Sequence, residues 1–228
     1  CGVSISSLKD IGYYFVKVEI FVEELEDNKV NINFDIDIGE KAKIKKISFI
    51  GDKVFKDRKL RRVILSEEFK PWKFISGKKF LNEGLIQFDS RLLRNFYLNR
   101  GYYNVKINSS FAKLIKKNEF ELVYNIDAGD KIYFNDMNLQ LPSNFDEKNF
   151  DKLKKIFLEL KNKPYSISSL NKILDTIDII ALNDQYESIK ILVNEKLNDN
   201  KLNLSFIIKD SETYYVERIN ILGNNVTE

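Results

Sequence analysis

Apolar and polar residues alternate with period two along two neighbouring stretches of this chain. Val105, Ile107, Ser109 and Phe111 are followed by the polar turn Lys116-Lys117-Asn118, and then by Phe120, Leu122, Tyr124 and Ile126. Such alternation across a short polar turn predicts an antiparallel hairpin. Arg100-Gly101-Tyr102-Tyr103 precedes the hairpin and Asp127-Ala128-Gly129-Asp130-Lys131 closes it. The same pattern stands earlier in the chain. Ile11-Gly12-Tyr13-Tyr14 leads into Val16, Val18, Ile20 and Val22, then Val30, Ile32, Phe34 and Ile36, and the run ends on Asp37-Ile38-Gly39-Glu40-Lys41. Gly12 recurs as Gly101 and Gly39 as Gly129, an offset of about 90 positions, and a pattern repeated at fixed offset means tandem modules.

The residues between the two hairpins complete one module. Ile44, Ile47 and Phe49 predict a half-buried strand that ends in a turn at Gly51-Asp52. Asp57 is placed to cap a helix with Leu60, Val63 and Ile64 inward. Residues 67–80, with Pro71, Trp72 and Gly77, read as an extended loop. Asn82 then caps a helix whose inward face is Leu85, Phe88, Leu92 and Phe96, and Gly101 supplies its left-handed C-terminal cap. The module is therefore β-α-α-β-β over residues 42–131.

A second copy follows over residues 132–212. Met137, Leu139 and Leu141 form its first strand, stopped by Pro142. Asp146 caps a helix with Phe150, Leu153, Phe157 and Leu160 inward. Ser168 or Ser169 leads another with Leu170, Ile173, Leu174 and Ile177 inward. Ile189, Ile191 and Val193 make the second strand, and Leu202, Leu204, Phe206 and Ile208 the third. The Gly-Tyr signature is replaced by Asn183-Asp184-Gln185-Tyr186. Val216, Ile219, Ile221 and Gly223 begin a further copy, so residues 1–41 read as the end of one module and 213–228 as the first strand of another. The linkers 41–43 and 131–133 are short enough to predict semi-rigid articulation.

Composition narrows the function. The 228 residues are 43% hydrophobic, enough for packed cores. The net charge is only +3, with both signs interspersed, which argues against a nucleic-acid partner. No apolar run reaches the roughly 18 residues of a membrane-spanning helix. Cys1 is the sole cysteine, so no internal disulfide forms. Followed by Gly2, it either opens a lipoprotein or marks the edge of an excised piece. The chain has no histidine. The commonest general base and metal ligand is thus missing. The carboxylate pairs Glu23-Glu24, Glu67-Glu68 and Asp35/Asp37 read as surface charges. Gly77 and Gly84 are too far apart for a phosphate or nucleic-acid clamp. No catalytic, cofactor or metal site is expected, and the chain reads as a non-enzyme.

Backbone and a few aromatics remain as candidate binding groups. A three-stranded sheet has two edges of unpaired N–H and C=O groups. The second strand of the module, residues 105–111, is a candidate edge without proline. Val105, Ile107, Ser109 and Phe111 are expected inward and Lys106, Asn108 and Ser110 outward. Tyr102 and Tyr103 either form a stacking platform or pack under the sheet. Trp72, beside Pro71, either anchors a partner or folds back on its module.

Tandem modules carrying Ile47-Ser48-Phe49-Ile50-Gly51, Tyr97-Leu98-Asn99-Arg100-Gly101-Tyr102 and Ile126-Asp127-Ala128-Gly129-Asp130, with a further start at Ile219-Asn220-Ile221-Leu222-Gly223-Asn224, resemble POTRA domains. The resemblance covers nearly the whole chain. It implies an α+β fold of three-stranded mixed sheets, each covered on one face by two helices. Parts of four consecutive modules exceed what two-partner secretion transporters carry. The count is similar to that of the outer-membrane protein assembly factors, whose periplasmic arm has five. By that resemblance the chain would hold part of the second module, the third, the fourth and the start of the fifth. The implied partners are unfolded outer-membrane proteins, accessory lipoproteins and a membrane β-barrel that these residues do not include. The implied contact strand is residues 105–111. The arm of an outer-membrane secretion pore is the alternative from the same fold.

Overall fold

A computed structural model describes residues 5–26, 29–72, 76–183 and 189–210. Cys1, the strand expected over 213–228 and most of the turn at 183–186 lie outside the described residues. The chain divides into two compact units, Cys1–Lys131 and Ile132–Glu228.

The first unit opens with a short helix, α1 (Ile5–Asp10), and a hairpin of β1 (Lys17–Leu25) and β2 (Lys29–Asp37). The register pairs Val18 with Ile36, Ile20 with Phe34 and Val22 with Ile32, so apolar residues face one another across the ladder. A second set of elements follows: β3 (Lys43–Asp52), α2 (Asp57–Leu60), α3 (Glu83–Leu98), β4 (Lys106–Lys116) and β5 (Glu119–Asp127). Its sheet has the order β3-β5-β4, with β3 parallel and β4 antiparallel to the central β5. The mixed sheet follows from the connections. A two-residue turn can only return a strand antiparallel, whereas the long helical crossover permits a parallel neighbour.

The core of this sheet is Ile44, Ile47 and Phe49 from β3, and Phe120, Leu122, Tyr124 and Ile126 from β5, all buried. Phe49 stacks on Tyr124 with centroids 5.6 Å apart. Gly51 closes β3 at φ 84°, where a Cβ would lie 2.4 Å from the Ile126 carbonyl oxygen. Only glycine fits both the backbone conformation and the space.

The helices depart from expectation in two ways. Residues 57–64 do not form a helix of two turns: α2 is a single turn with Lys56 at its N-cap position. Asp57 does not cap it, because its carboxylate is held by Lys53 Nζ at 2.6 Å. The backbone is then diverted when the N–H groups of Leu65 and Ser66 bind the Asp89 carboxylate, at 2.6 and 3.0 Å. On α3, Asn82 does cap, accepting from Leu85 N–H at 2.7 Å. The buried face, however, is Ile86, Asp89, Leu93 and Tyr97, one residue on from the expected one. Asp89 sets that phase. A charge counts as an outward residue in any hydrophobic pattern, yet here it points into the core.

The second unit repeats the arrangement with β6 (Tyr133–Gln140), α4 (Asp151–Leu160), α5 (Ile167–Asn183), β7 (Ile189–Asn198) and β8 (Lys201–Asp210), in the sheet order β6-β8-β7. Asp146 caps a 3-10 turn that leads into α4, by accepting from Lys148 N–H at 3.0 Å. Phe150, Leu153 and Phe157 are buried as expected, and Leu160 is half-buried. Ser166 caps α5 through Ser169 N–H, two to three residues before the expected serines. Leu170, Ile173 and Ile177 face the core, while Leu174 is only half-buried. Leu141 lies just past the end of β6. Leu202, Leu204, Phe206 and Ile208 of the central β8 are all buried, and Phe157 stacks on Phe206 at 5.5 Å.

Candidate functional site

The two edges of the first three-stranded sheet are treated differently. The β3 edge is covered by the stretches 65–72 and 76–81. Phe69 N–H donates to Ile44 O at 2.6 Å and Leu81 N–H to Ala42 O at 2.9 Å, and Lys43 forms an antiparallel bridge with Phe80. Two side chains complete the cover at Ile47. Its N–H donates to Glu68 Oε1 at 3.0 Å, and its carbonyl accepts from the Arg61 guanidinium, which also pairs with Glu68. Burial pushes the Glu68 carboxyl up, but the Ile47 N–H and the Arg61 guanidinium outweigh it and leave the group below its ordinary value. Glu68, one of the surface carboxylates of the sequence reading, is thus an edge-capping group.

The covering segment is itself pinned. Lys43 and Lys79 lie over the Phe69 ring, both at 5.3 Å. The second unit caps its first strand in the same way. Tyr165 N–H donates to Ile132 O, Phe134 N–H to Lys163 O and Asn162 N–H to Phe134 O, all at 2.9 Å.

β4 lies at the other end of the order, and among the described residues it pairs only with β5. This edge holds the candidate binding residues Lys106, Ile107, Asn108, Ser109, Ser110 and Phe111, and it runs on to Lys116. Val105 does not belong to it. Val105 precedes the strand, is 1% exposed and donates its N–H to Tyr102 O.

The expected strict alternation also fails. Ile107 opposes Ile126 but Ser109 opposes Asn125, so the ladder slips at Asn108. Beyond this bulge Ser110 stands opposite the buried Tyr124 and Phe111 opposite Val123, the reverse of the parity counted from Val105. The side chains of Ser109, Ser110 and Phe111 lie outside the described residues. A second slip follows Leu114, and Leu114 and Ile115 are exposed near the hairpin tip. Bulges are a common way to keep an open edge from unlimited pairing. β7 is the corresponding edge of the second unit, paired to β8 in an unbroken register.

Trp72 is 71% exposed, with Lys70 Nζ 5.9 Å from its ring, and does not fold back on the sheet. Tyr102 is no stacking platform. It packs edge-on against Phe55 and Tyr97, with centroids 5.7 Å apart in each pair. Among the described residues no group of three or more His, Cys, Asp or Glu side chains could hold a metal ion. No described helix is long and apolar enough to cross a membrane.

Known proteins carry similar sequences and a similar fold. Residues 42–129 match the family described as POTRA, surface antigen variable number repeat. The chain as a whole is similar to the POTRA arrays of outer membrane protein assembly factors. It is 23% identical over 226 residues to the outer membrane protein assembly factor BamA of Buchnera aphidicola, covering 96% of this chain and 36% of that protein. To BamA of Neisseria meningitidis serogroup B it is 26% identical over 219 residues, covering 95% of this chain and 27% of that one. The chain therefore spans about a third of the length of these curated relatives. Among solved structures, POTRA3-5 of Haemophilus influenzae BamA superposes with a TM-score of 0.51 at 13% identity, covering 90% of this chain and 78% of that one. BamA from Haemophilus ducreyi lacking POTRA domains 1-3 gives 0.50 at 15% identity, covering 74% of this chain and 29% of that one. The likeness to these structures is one of fold: tandem POTRA modules with mixed three-stranded sheets.

The residue the sequence reading missed is Asp89. It is fully buried and accepts three hydrogen bonds, from the N–H groups of Leu65 and Ser66 and from Tyr124 Oη at 3.0 Å. Burial, then the neighbouring Asp89 charge, push the Tyr124 hydroxyl well above its ordinary value, so it serves as a permanent donor. Asp89 ties the start of the covering segment to α3 and to the central strand. Asp89 is thus one of the groups that hold the segment closing the β3 edge. A sequence signal existed: an acid at an inward helical position must have found partners.

Proposed function

We propose that this chain is the periplasmic arm of an outer-membrane protein assembly machine, and that it receives unfolded outer-membrane strands on the β4 edge by β-augmentation. The observation that carries this is the asymmetry of the sheet, in which β3 is capped by its own chain while β4 is left to pair outward. Augmentation draws affinity from main-chain groups that every peptide has, so it suits a scaffold that handles many substrates. A further membrane β-barrel would attach the arm to the outer membrane. Accessory lipoproteins would dock on the same scaffold, with the exposed Trp72 as an anchor, since tryptophan is enriched among residues that dominate interface energies. The role is that of a non-catalytic scaffold.

The test is an NMR titration of the isotope-labelled chain with an extended peptide taken from an outer-membrane β-strand. Amide shifts are expected at 106–116 and in the paired residues 119–127. Shifts confined to α3, with 106–116 unmoved, would rule out the edge as the docking site.

A further inference from the structure

The turn between β3 and α2 is not used by the strand-docking reading, and it forms a cleft of about 600 Å³ lined by Val54, Phe55, Lys56, Arg58, Lys59 and Arg62. Its floor is apolar and its rim is cationic. Lys56, Arg58, Lys59 and Arg62 make no ion pair with a carboxylate among the described residues; of the acids of this turn, Asp57 is taken by Lys53, and Asp52 stands before it, near Tyr97. Four uncompensated cations around one cleft, in a chain whose net charge is only +3, are a concentrated charge.

The cleft is also rigid. Phe55 is clamped edge-on between Phe96 and Tyr97, both at 5.1 Å, with Tyr102 at 5.7 Å. Lys59 Nζ is held 4.7 Å from the Phe55 ring centroid and 5.6 Å from that of Phe96. The Lys53 carbonyl receives the Tyr97 hydroxyl, and Lys53 Nζ donates to Phe49 O at 2.7 Å. Between these fixed points Val54 sits at φ 53°, with the Phe55 N–H turned back to Lys53 O in a three-residue γ-turn. A β-branched residue is strained in that region, where glycine or asparagine would rest more easily. Here the strained valine is 53% exposed at the mouth of the cleft.

We infer that this cleft binds an acidic segment of a partner protein, with carboxylates on the Arg58 and Arg62 guanidinium groups and one apolar side chain against Val54 and Phe55. Guanidinium groups bind carboxylates in a bidentate fork, and a site ordered before binding loses little entropy on association. The concave, part-apolar shape favours a peptide over an anionic lipid surface, which is met by a basic face rather than a pocket. This inference stands apart from the strand-docking reading, because it rests on the 53–62 turn and not on β4.

The experiment is fluorescence anisotropy of the full chain with a labelled peptide of alternating Asp and Glu around one Phe. Saturable binding that weakens as salt is raised is expected. The paired substitution Arg58→Glu, Arg62→Glu should weaken it about tenfold or more. Lys152→Glu with Lys155→Glu, the same change of charge on α4, should leave it unchanged. A peptide with Gln and Asn in place of the acids should not bind, and one with Ser in place of Phe should bind more weakly. Equal losses from both pairs of substitutions would overturn the inference, since net charge alone would then explain the binding. So would absent peptide binding together with capture of phosphatidylglycerol vesicles that the Arg58/Arg62 pair abolishes. If circular dichroism shows the charge-reversed pair unfolded, Arg58→Gln with Arg62→Gln replaces it, and a loss of several-fold is expected.

Discussion

A buried carboxylate that holds two backbone amides and a hydroxyl is worth more through what it leaves behind than through what it adds. At Asp89, truncation to alanine would strand the Ser66 N–H and the Tyr124 hydroxyl in the buried interior and remove the acceptor of the part-buried Leu65 N–H. Breaking a buried charged network of this kind costs about 3–5 kcal/mol. The expected outcome is that Asp89→Ala lowers the unfolding free energy of the 42–131 module, measured by urea denaturation, by an amount in that range. Asp89→Asn should lose less, because its amide oxygen still accepts. Tyr124→Phe should cost about 1–2 kcal/mol, since the two backbone donors keep their acceptor. A midpoint in Asp89→Ala equal to that of the parent would show that the covering segment is held by other means.

At the scale of elements, the open and closed edges make distinct predictions for proline. Along an antiparallel strand, alternate N–H groups face the partner strand and the open side, so of Lys113 and Leu114 one donates to β5 and the other is free for a guest. Proline removes one donor and its ring intrudes on the ladder. One of Lys113→Pro and Leu114→Pro should therefore stay folded and lose peptide binding, while the other should destabilise the sheet. Asn108→Pro should do neither, because Asn108 sits in the bulge where the ladder is already broken. Thermal melts beside the NMR titration separate these outcomes. Two folded proline variants that both bind like the parent would remove β4 from the docking role. The elements themselves were largely legible in the sequence, because period-two hairpins, the Asn82 cap and the glycine at 101 are local signals. The β4 bulge was not legible: nothing in Asn108-Ser109-Ser110 marks which residue is left unpaired until β5 fixes the register. The capped β3 edge was hidden for the same reason, since Glu68 and Arg61 look like surface charges until the fold brings them to Ile47.

At the scale of the molecule, the repeated Asp-x-Gly turns and the hairpin tip decide how one module meets the next within the first unit. Asp37 accepts from Gly39 N–H at 2.9 Å and Asp127 from Gly129 N–H at 3.3 Å, so each turn is locked locally before the chain leaves its module. The linker after β2 is then fastened on both sides. Ala42 is fully buried with its N–H on Gly12 O at 2.8 Å, and Lys43 N–H donates to Asn118 O at 2.7 Å. Asn118, at the hairpin tip, also donates to Glu40 at 3.2 Å, and Phe15 stacks on Phe120 with centroids 6.1 Å apart. The Lys41 ammonium lies 5.2 Å from the Tyr13 ring centroid and 5.4 Å from that of Phe80. Beside these contacts, Ile44, Leu60, Leu93, Tyr97, Leu122 and Ile126 form a core wholly within residues 42–131. The module should therefore fold without residues 1–41. A fragment of 42–131 is expected to give the circular dichroism of a folded α+β domain and a cooperative melt. Its midpoint should lie about 4–8 °C below that of the same module within residues 1–131, for a loss of about 1 kcal/mol as removal of residues 1–41 uncovers Phe120 and the linker. A fragment that stays unfolded would mean that the preceding hairpin supplies part of the core, and the repeat would have to be redrawn to begin before Ala42.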